Sequence, residues 1–451
     1  MNLKKLLKKI IPKGLLGLGL PAYHSARGVS AAYKYGFPAK KMKVIGVTGT
    51  NGKTTTAAII ASILEKAGYK VGLSTTAYFK IGEKEWVNDL NMTSTNPYKL
   101  QRLLAEMAKE KVEWAVVEVT SHALKQHRVW GIPFQAAVMT NLTQDHLDYH
   151  GSMQAYAAAK AQLLRQAQQL VVLNIDDEWF NYFNGASKTH KLAYGTNKDA
   201  DVRLTKASLG AGGSVLKTQF HGTEAEFVSP LVGKFNAYNT LAAITLALGL
   251  DINKEAIAEG LKAISGVPGR MEKIDEGQNF NVLVDYAHTP DAIEKLFESL
   301  KPITKGKIIA VFGATGDRDK LKRPIMGEVA AANCDIVIIT DDEPYSEDAG
   351  QIRASVLAGA QKAKAEVLEV GDRKEAIKKA FALAENGDVV TVLGMGHQTF
   401  RTMNEGKIEW DDRAVARELL KNLANKPKTA KKPKKSTKKK SQKSSTKNKS
   451  S

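Results

Sequence analysis

Gly49-Thr50-Asn51-Gly52-Lys53-Thr54-Thr55 has residue types and spacing that suit phosphate chemistry. The glycines let backbone N–H groups approach an anion, Lys53 can reach terminal phosphates, and the Thr54 hydroxyl can sit on Mg²⁺. The strict form of this motif has glycine where Val47 stands, so the loop is a variant. A glycine turn with no ligand is the alternative. Glu118 is the matching acid, near the end of the apolar run at residues 114–119. Mg²⁺ takes hard oxygen ligands, and a carboxylate there would complete a site with Thr54. Alone, a strand-end glutamate reads as a surface acid; beside this loop it reads as a ligand.

These residues need elements to hold them. The run Val44-Ile45-Gly46-Val47 reads as a buried parallel strand, and residues 57–64 continue at helical period until Gly68. Strand, glycine loop and helix start together form a phosphate cradle, with the helix N-terminus adding partial positive charge. Residues 113–119, 136–141 and 170–174 are further strands, which predicts a doubly wound, mostly parallel sheet active at its strand C-termini. Around 200–230 the alternation tightens into a small antiparallel patch, and residues 239–250 are helical. Strands at 280–284, 307–312, 335–339 and 388–393, with helices between, predict a second, Rossmann-like unit. The fold class is therefore α/β. The expected organisation is a basic, aromatic segment at 1–40, an ATP-binding unit at 41–267, a Rossmann-like unit at 268–424 and a tail at 425–451.

The chain has 451 residues, 43% hydrophobic and 25% charged, enough for two or three globular domains. One cysteine, Cys334, excludes a disulfide framework within the chain and fits a reducing, cytoplasmic setting. The net charge is +19, but residues 425–451 hold 12 lysines and no acid; without them 54 cations face 47 acids, a net +7. A modest positive bias suits anionic substrates. The tail is too poor in apolar residues to order itself, and its charge suits weak contact with anionic membrane or nucleic acid. At the other end, Leu3, Leu6, Leu7 and Ile10 share a helical face among lysines, in a short amphipathic segment interrupted at Pro12 and Gly14. Docking onto the body and loose membrane contact are both open for it. No stretch reaches transmembrane length, and no obligate protein partner is evident.

Longer blocks carry a resemblance. Thr120-Ser121-His122-Ala123-Leu124-Lys125-Gln126-His127-Arg128 is followed by Thr140-Asn141-Leu142-Thr143-Gln144-Asp145-His146-Leu147-Asp148-Tyr149-His150-Gly151 and Tyr156-Ala157-Ala158-Ala159-Lys160. Later come Gly233-Lys234-Phe235-Asn236-Ala237-Tyr238-Asn239, Val267-Pro268-Gly269-Arg270-Met271-Glu272, Asp285-Tyr286-Ala287-His288-Thr289-Pro290-Asp291, Gly316-Asp317-Arg318-Asp319 and Gly394-Met395-Gly396-His397. From about residue 43 to 420 the chain resembles the Mur ligases of peptidoglycan assembly, most closely the branch that adds the third stem-peptide residue to UDP-N-acetylmuramoyl-dipeptide.

The resemblance implies a reaction. ATP phosphorylates a carboxylate, and the amine of a free amino acid displaces phosphate from the acyl phosphate to form an amide. It implies that Arg270 meets the γ-phosphate, and that His146 and Lys160 hold a second Mg²⁺, with Lys160 carboxylated. An ammonium cannot bind a cation, whereas a lysine carbamate can; without the match Lys160 would read as a solvated helix lysine. Asn236 and Asn239 match adenine contacts, although a capping pair is the alternative, and Asp285 matches the ribose contact. Thr93, Ser94, Thr120, Gln126 and Arg128 match contacts to the muramoyl-peptide nucleotide; Arg128 could instead be a surface arginine. Arg318, Asp342, Glu343, Gly394 and Gln398 match the amino-acid pocket.

Two departures stand out. The family begins with a domain of roughly a hundred residues that grips the uridine nucleotide, whereas about 40 residues precede the loop here, too few for one. Members that use meso-diaminopimelate carry Asp-Asn-Pro-Arg and a later glutamate; here Asp342-Glu343-Pro344-Tyr345 and Gln398 stand in their places. This predicts a different third residue, with L-lysine leading. The alternative enzyme is a Mur-like amide ligase acting on another carboxylate, of folylpolyglutamate, cyanophycin or lipid-linked type. A nucleotide-binding scaffold using its tail on nucleic acid is the non-enzyme alternative.

Overall fold

The computed structural model describes residues 13–88, 96–210, 212–264 and 266–424. Thr93, Ser94, residues 1–12 and the lysine-rich tail lie outside the described residues.

The first sheet has eleven strands. In chain order these are β1 (Lys43–Thr48), β2 (Val71–Ser74), β3 (Tyr78–Ile81), β4 (Lys84–Val87), β5 (Trp114–Glu118), β6 (Phe134–Met139), β7 (Leu170–Asn174), β8 (Lys191–Gly195), β9 (Val202–Gly210), β10 (Gly213–Phe220) and β11 (Thr223–Ser229). Their spatial order is β11-β10-β9-β8-β7-β6-β1-β5-β2-β3-β4. The strands from β9 through β2 in that order pair in parallel. Antiparallel hairpins extend both edges. The parallel strands are apolar on both faces because helices cover both. Ile45, Val47, Val116, Val138 and Val172 pack with the helices Lys53–Lys66 and Lys234–Gly249. Val44, Ala115, Val117, Ala137 and Val171 face the other way, toward the helices Pro97–Lys109 and Met153–Gln166.

The second sheet contains β12 (Glu272–Ile274), β13 (Asn281–Asp285), β14 (Ile308–Phe312), β15 (Ile336–Ile339), β16 (Glu366–Glu369) and β17 (Val389–Leu393). Its order is β12-β13-β17-β14-β15-β16, parallel except for β12. A separate hairpin, β18 (Phe400–Met403) and β19 (Gly406–Glu409), follows.

The strands at 202–229 pair antiparallel as expected and extend the large sheet. Tyr194 on β8 pairs with Val202 on β9, which joins them to the large sheet. A helix runs Lys13–Lys34, through Pro21; the amphipathic stretch expected before it lies outside the described residues. Tertiary packing outweighs local propensity here. Gly28 lies so close to the His127 carbonyl that a Cβ would stand 2.3 Å from its oxygen. Phe37, just beyond this helix, packs against Trp130 at 6.1 Å between ring centres. Among the described residues no helix is long and apolar enough to cross a membrane.

Candidate active site

β1 lies between β5 and β6, and the loop that follows it opens at their C-terminal ends. The helix Lys53–Lys66 starts from Gly52, whose φ is +81°. A Cβ there would meet Asn239 Oδ1 at 2.1 Å, so both conformation and space demand glycine. The Thr56 N–H donates to the Gly52 carbonyl, the start of the helical ladder, so the N–H groups just before it are available to an anion. Asn51 is held on both sides of its backbone. Its N–H donates to Asn141 Oδ1 (3.0 Å), and its carbonyl accepts from Thr140 Oγ1 (2.7 Å) and Asn141 Nδ2 (3.1 Å). Thr50 Oγ1 donates to the Thr143 carbonyl at 3.2 Å and lies 3.3 Å from the Tyr156 hydroxyl. Thr55 is buried beneath the loop, and Gly49 presents its carbonyl to Lys160.

Lys53 folds back, its Nζ donating to the Thr50 carbonyl at 2.7 Å. Burial pushes its pKa down, with the Arg270 charge adding to this and Glu118 opposing. The parallel register pairs Val47 with Glu118, which carries the carboxylate to the loop. Glu118 Oε2 accepts from Thr54 Oγ1 at 2.9 Å and from the Thr76 N–H at 2.8 Å. Arg270 arrives from the other unit: Nη2 is 3.4 Å from Thr54 Oγ1, and the guanidinium lies 4.4 Å over the Tyr286 ring.

Lys160 is buried at 1% exposure, and its Nζ donates to the Gly49 carbonyl at 2.6 Å. Burial, then the Lys53 charge, drives its pKa well below the ordinary lysine value. His146 has a left-handed backbone, φ +54°, uncommon for a residue with a side chain. Its ring lies 3.3 Å from the Asp145 carboxylate, and burial brings its pKa down to about 4. Burial pushes Asp145 up, but His146, Lys322 and His288 outweigh it and hold the carboxyl at about 2.

The Thr54 hydroxyl and the Glu118 carboxylate are adjacent hard oxygen donors, which fits Mg²⁺. Among the described residues no three His, Cys, Asp or Glu side chains converge as a metal cluster. A second ion beside His146 would need an oxygen donor, which Lys160 supplies only when its amine is converted to a carbamate.

Asn236 and Asn239 open the helix Lys234–Gly249 as a bonded pair, Asn239 Nδ2 donating to Asn236 Oδ1 at 3.1 Å. Asp285 is buried and accepts from the Met271 and Ala287 N–H groups, each at 2.7 Å. Thr120, Gln126 and Arg128 come together around the helix Ser121–Lys125. Thr120 caps it, and Gln126 Oε1 accepts from Arg128 Nε at 3.0 Å and Nη2 at 2.6 Å. Gln126 Nε2 donates to the Tyr149 hydroxyl, and the His122 ring stacks on Tyr149 at 4.1 Å.

The remaining candidates form a second group on the smaller sheet. Arg318 is exposed and lies 5.2 Å over the Tyr345 ring. Glu343 is buried; Oε1 accepts from the Thr402 N–H at 2.9 Å and Oε2 lies 3.4 Å from Gln398 Nε2. The amide at 398 and the acid at 343 thus stand side by side. Burial, then the Asp342 charge, pushes the Glu343 carboxyl up. Gly394 has φ +106°, and a Cβ there would stand 2.4 Å from Asp342 Oδ2. The Asp342 and Glu343 charges reach Tyr286, on which Arg270 stacks, so the two groups adjoin.

Sequence alone does not single out Asp145, Asn141, Tyr156 and His122, although all lie in the blocks quoted above. Their types are common, and the folded chain puts Tyr156 beside Thr50, Asn141 on the Asn51 backbone and His122 beside His146, with Asp145 pairing its own neighbour.

The arrangement matches known proteins. A family model described as the Mur ligase middle domain matches residues 47–247, and one described as the Mur ligase, glutamate ligase domain, matches 269–396. A protein of Syntrophomonas wolfei named UDP-N-acetylmuramoyl-L-alanyl-D-glutamate–2,6-diaminopimelate ligase is 41% identical over 409 residues, covering 90% of this chain and 83% of the relative. A Roseiflexus protein named UDP-N-acetylmuramyl-tripeptide synthetase is 39% identical over 426 residues, covering 90% and 84%. The solved structure of a Mycobacterium tuberculosis folylpolyglutamate synthase complexed with ADP shares the fold, with a TM-score of 0.68 at 19% identity, over 83% of this chain and 92% of that one.

Proposed function

The chain belongs to the Mur ligase family, and we propose that it adds the third amino acid to a UDP-N-acetylmuramoyl-dipeptide in peptidoglycan synthesis, with ATP as the energy source. The observation that carries this is the meeting of Lys53, Thr54, Glu118 and Arg270 at one phosphate loop, with two buried acids, Asp342 and Glu343, on the adjoining unit. The substrate's terminal carboxylate oxygen takes the γ-phosphoryl group and ADP leaves; the amine then attacks the carbonyl carbon and phosphate leaves. Lys53 and Arg270 offset the charge of two approaching anions. When bound by Thr54 and Glu118, Mg²⁺ supplies further positive charge to the phosphates. Asn236, Asn239 and Asp285 hold the nucleoside; Thr120, Gln126 and Arg128 hold the muramoyl peptide; Arg318 anchors the free amino acid's carboxylate. The work is cytoplasmic, in keeping with a single cysteine. The reading requires that ADP release depend on both the muramoyl-dipeptide nucleotide and an amino acid; release with either alone would oppose it.

Lys160 is assigned as the carbamate ligand of a second Mg²⁺. Its depressed pKa favours the neutral amine, the form that captures CO₂. Lys160→Ala should lose at least about 10²-fold in kcat, with partial recovery in formate or acetate. An active enzyme whose intact mass shows no added CO₂ on Lys160 would remove the assignment.

The tail is assigned a weak, salt-sensitive contact with anionic membrane or nucleic acid. Deleting residues 425–451 should leave kcat within about two-fold while vesicle or DNA binding falls; a large loss of rate would place the tail in catalysis.

A further inference from the structure

We propose that Asp291 is a positioning residue that aligns the amino-acid-binding unit with the phosphate loop, so that the acyl phosphate meets the amine rather than water. The inference rests on the ligase reading above. Asp291 lies in the first turn of the helix Pro290–Leu300, whose N-cap, Thr289, accepts from the Ala292 N–H at 3.2 Å. One oxygen, Oδ2, accepts from Asn51 Nδ2 at 2.6 Å and from Thr143 Oγ1 at 3.3 Å. The other, Oδ1, pairs with Lys295 Nζ at 2.7 Å.

Asn51 and Thr143 belong to the unit that holds the phosphate loop, whereas Asp291 follows β13 in the unit that holds Arg318 and Glu343. Asn51 is fixed through its backbone by Thr140 and Asn141, so its side-chain amide is a fixed reference point at the loop. A carboxylate tied to that amide carries the loop's position into the helix Pro290–Leu300. The same helix packs on the start of the helix Lys234–Gly249. A Cβ on Gly233 would meet Ser299 Oγ at 2.8 Å, so the Ser299 side chain packs directly on the Gly233 backbone. The helix is therefore registered at two points, next to Asn51 and next to the Asn236–Asn239 pair.

Phosphoryl transfer needs the loop, Glu118 and Arg270, and Arg270 keeps its own contact with Thr54 at 3.4 Å, whereas aminolysis also needs the Arg318–Glu343 group at the right distance. Near-attack geometry is lost with displacements of about 1 Å. Loss of the Asp291 contact should spare the first step more than the second. Water then takes the acyl phosphate, returning the carboxylate and inorganic phosphate while ADP has already left.

The test measures ADP and amide together in the full-length protein, with Asp291→Ala and Asp291→Asn. In wild type one ADP should accompany each amide. In Asp291→Ala, amide formed per ADP should fall by roughly ten-fold, the size of one charge-assisted hydrogen bond, with KM for the amino acid rising more than KM for ATP. Asp291→Asn keeps an acceptor for Asn51 and should recover most of the coupling. A merely structural role would lower Tm without changing the ratio. Retained coupling in Asp291→Ala would overturn the proposal even with Tm lowered; so would Asp291→Asn being no better coupled than Asp291→Ala. A wild type that forms no amide would instead overturn the ligase reading, and the proposal with it.

Discussion

Lys53→Ala should reduce kcat by at least about 10³-fold while leaving the fold intact, because a cation aimed at transferring phosphate acts mainly in the transition state. The lysine bonds to the Thr50 carbonyl within its own loop, a contact that ties no distant elements together. Burial already disfavours its charge. Position 53 is also the first residue of a helix, where alanine is at least as good a helix former. Tm should therefore hold, and the loss should appear in kcat and in ATP binding. Glu118→Ala should be equally inactive but less stable, since it leaves the buried Thr76 N–H without this acceptor, at a cost of about 1–3 kcal/mol. Near-wild-type turnover in either variant would move the ATP site elsewhere.

The second large effect concerns which amino acid enters. L-Lysine should be preferred to meso-diaminopimelate by about 10³ or more in kcat/KM, from the loss of one charged contact and the burial of an unpaired charge. Tyr345 stands where the family resemblance places the arginine for the distal carboxylate. Its ring underlies Arg318, the cation proposed for the amino acid's own carboxylate, and so gives the far end of the ligand no charge. Glu343 supplies the opposite requirement. It is buried, and its partners at the site, the Thr402 N–H and the Gln398 amide, are both neutral. An ammonium arriving there would lower the cost of that burial. A distal carboxylate would instead sit beside two acids, Asp342 and Glu343. The named Syntrophomonas relative is a 2,6-diaminopimelate ligase, so the pocket residues, not the overall likeness, carry this expectation. Rates with L-lysine, L-ornithine, meso-diaminopimelate and small neutral amino acids decide it, and a clear preference for meso-diaminopimelate would remove it. The pair can be probed directly: Glu343→Gln should lose the basic amino acids selectively.

Much of the site is legible in the sequence because its parts are local. The strand, glycine loop and helix start occupy consecutive residues, and an apolar run ending in one acid places Glu118 beside the loop once it pairs with β1. The pattern fails where structure depends on distant partners. β2, β3 and β4 have four residues each, too short to show a period. β8 joins β9 through only two paired positions, so nothing in the sequence shows that the antiparallel strands extend the large sheet. The bond between Asn51 and Asp291 spans 240 positions of chain. The approach of Glu343 to Gln398 is invisible in sequence for the same reason: position 398 reads as a lost acid and 343 as a gained one, and only the fold brings them within 3.4 Å.

Amide formation by this chain on a muramoyl-dipeptide nucleotide with ATP is tested most directly by mass analysis of the nucleotide product. Purified protein would be incubated with UDP-N-acetylmuramoyl-dipeptide, ATP, Mg²⁺ and an equimolar mixture of amino acids. The expected product is the starting nucleotide enlarged by one amino-acid residue, L-lysine foremost, with ADP formed in step. ADP appearing without that product, or an unchanged nucleotide beside an amide on some other carboxylate substrate, would contradict the account.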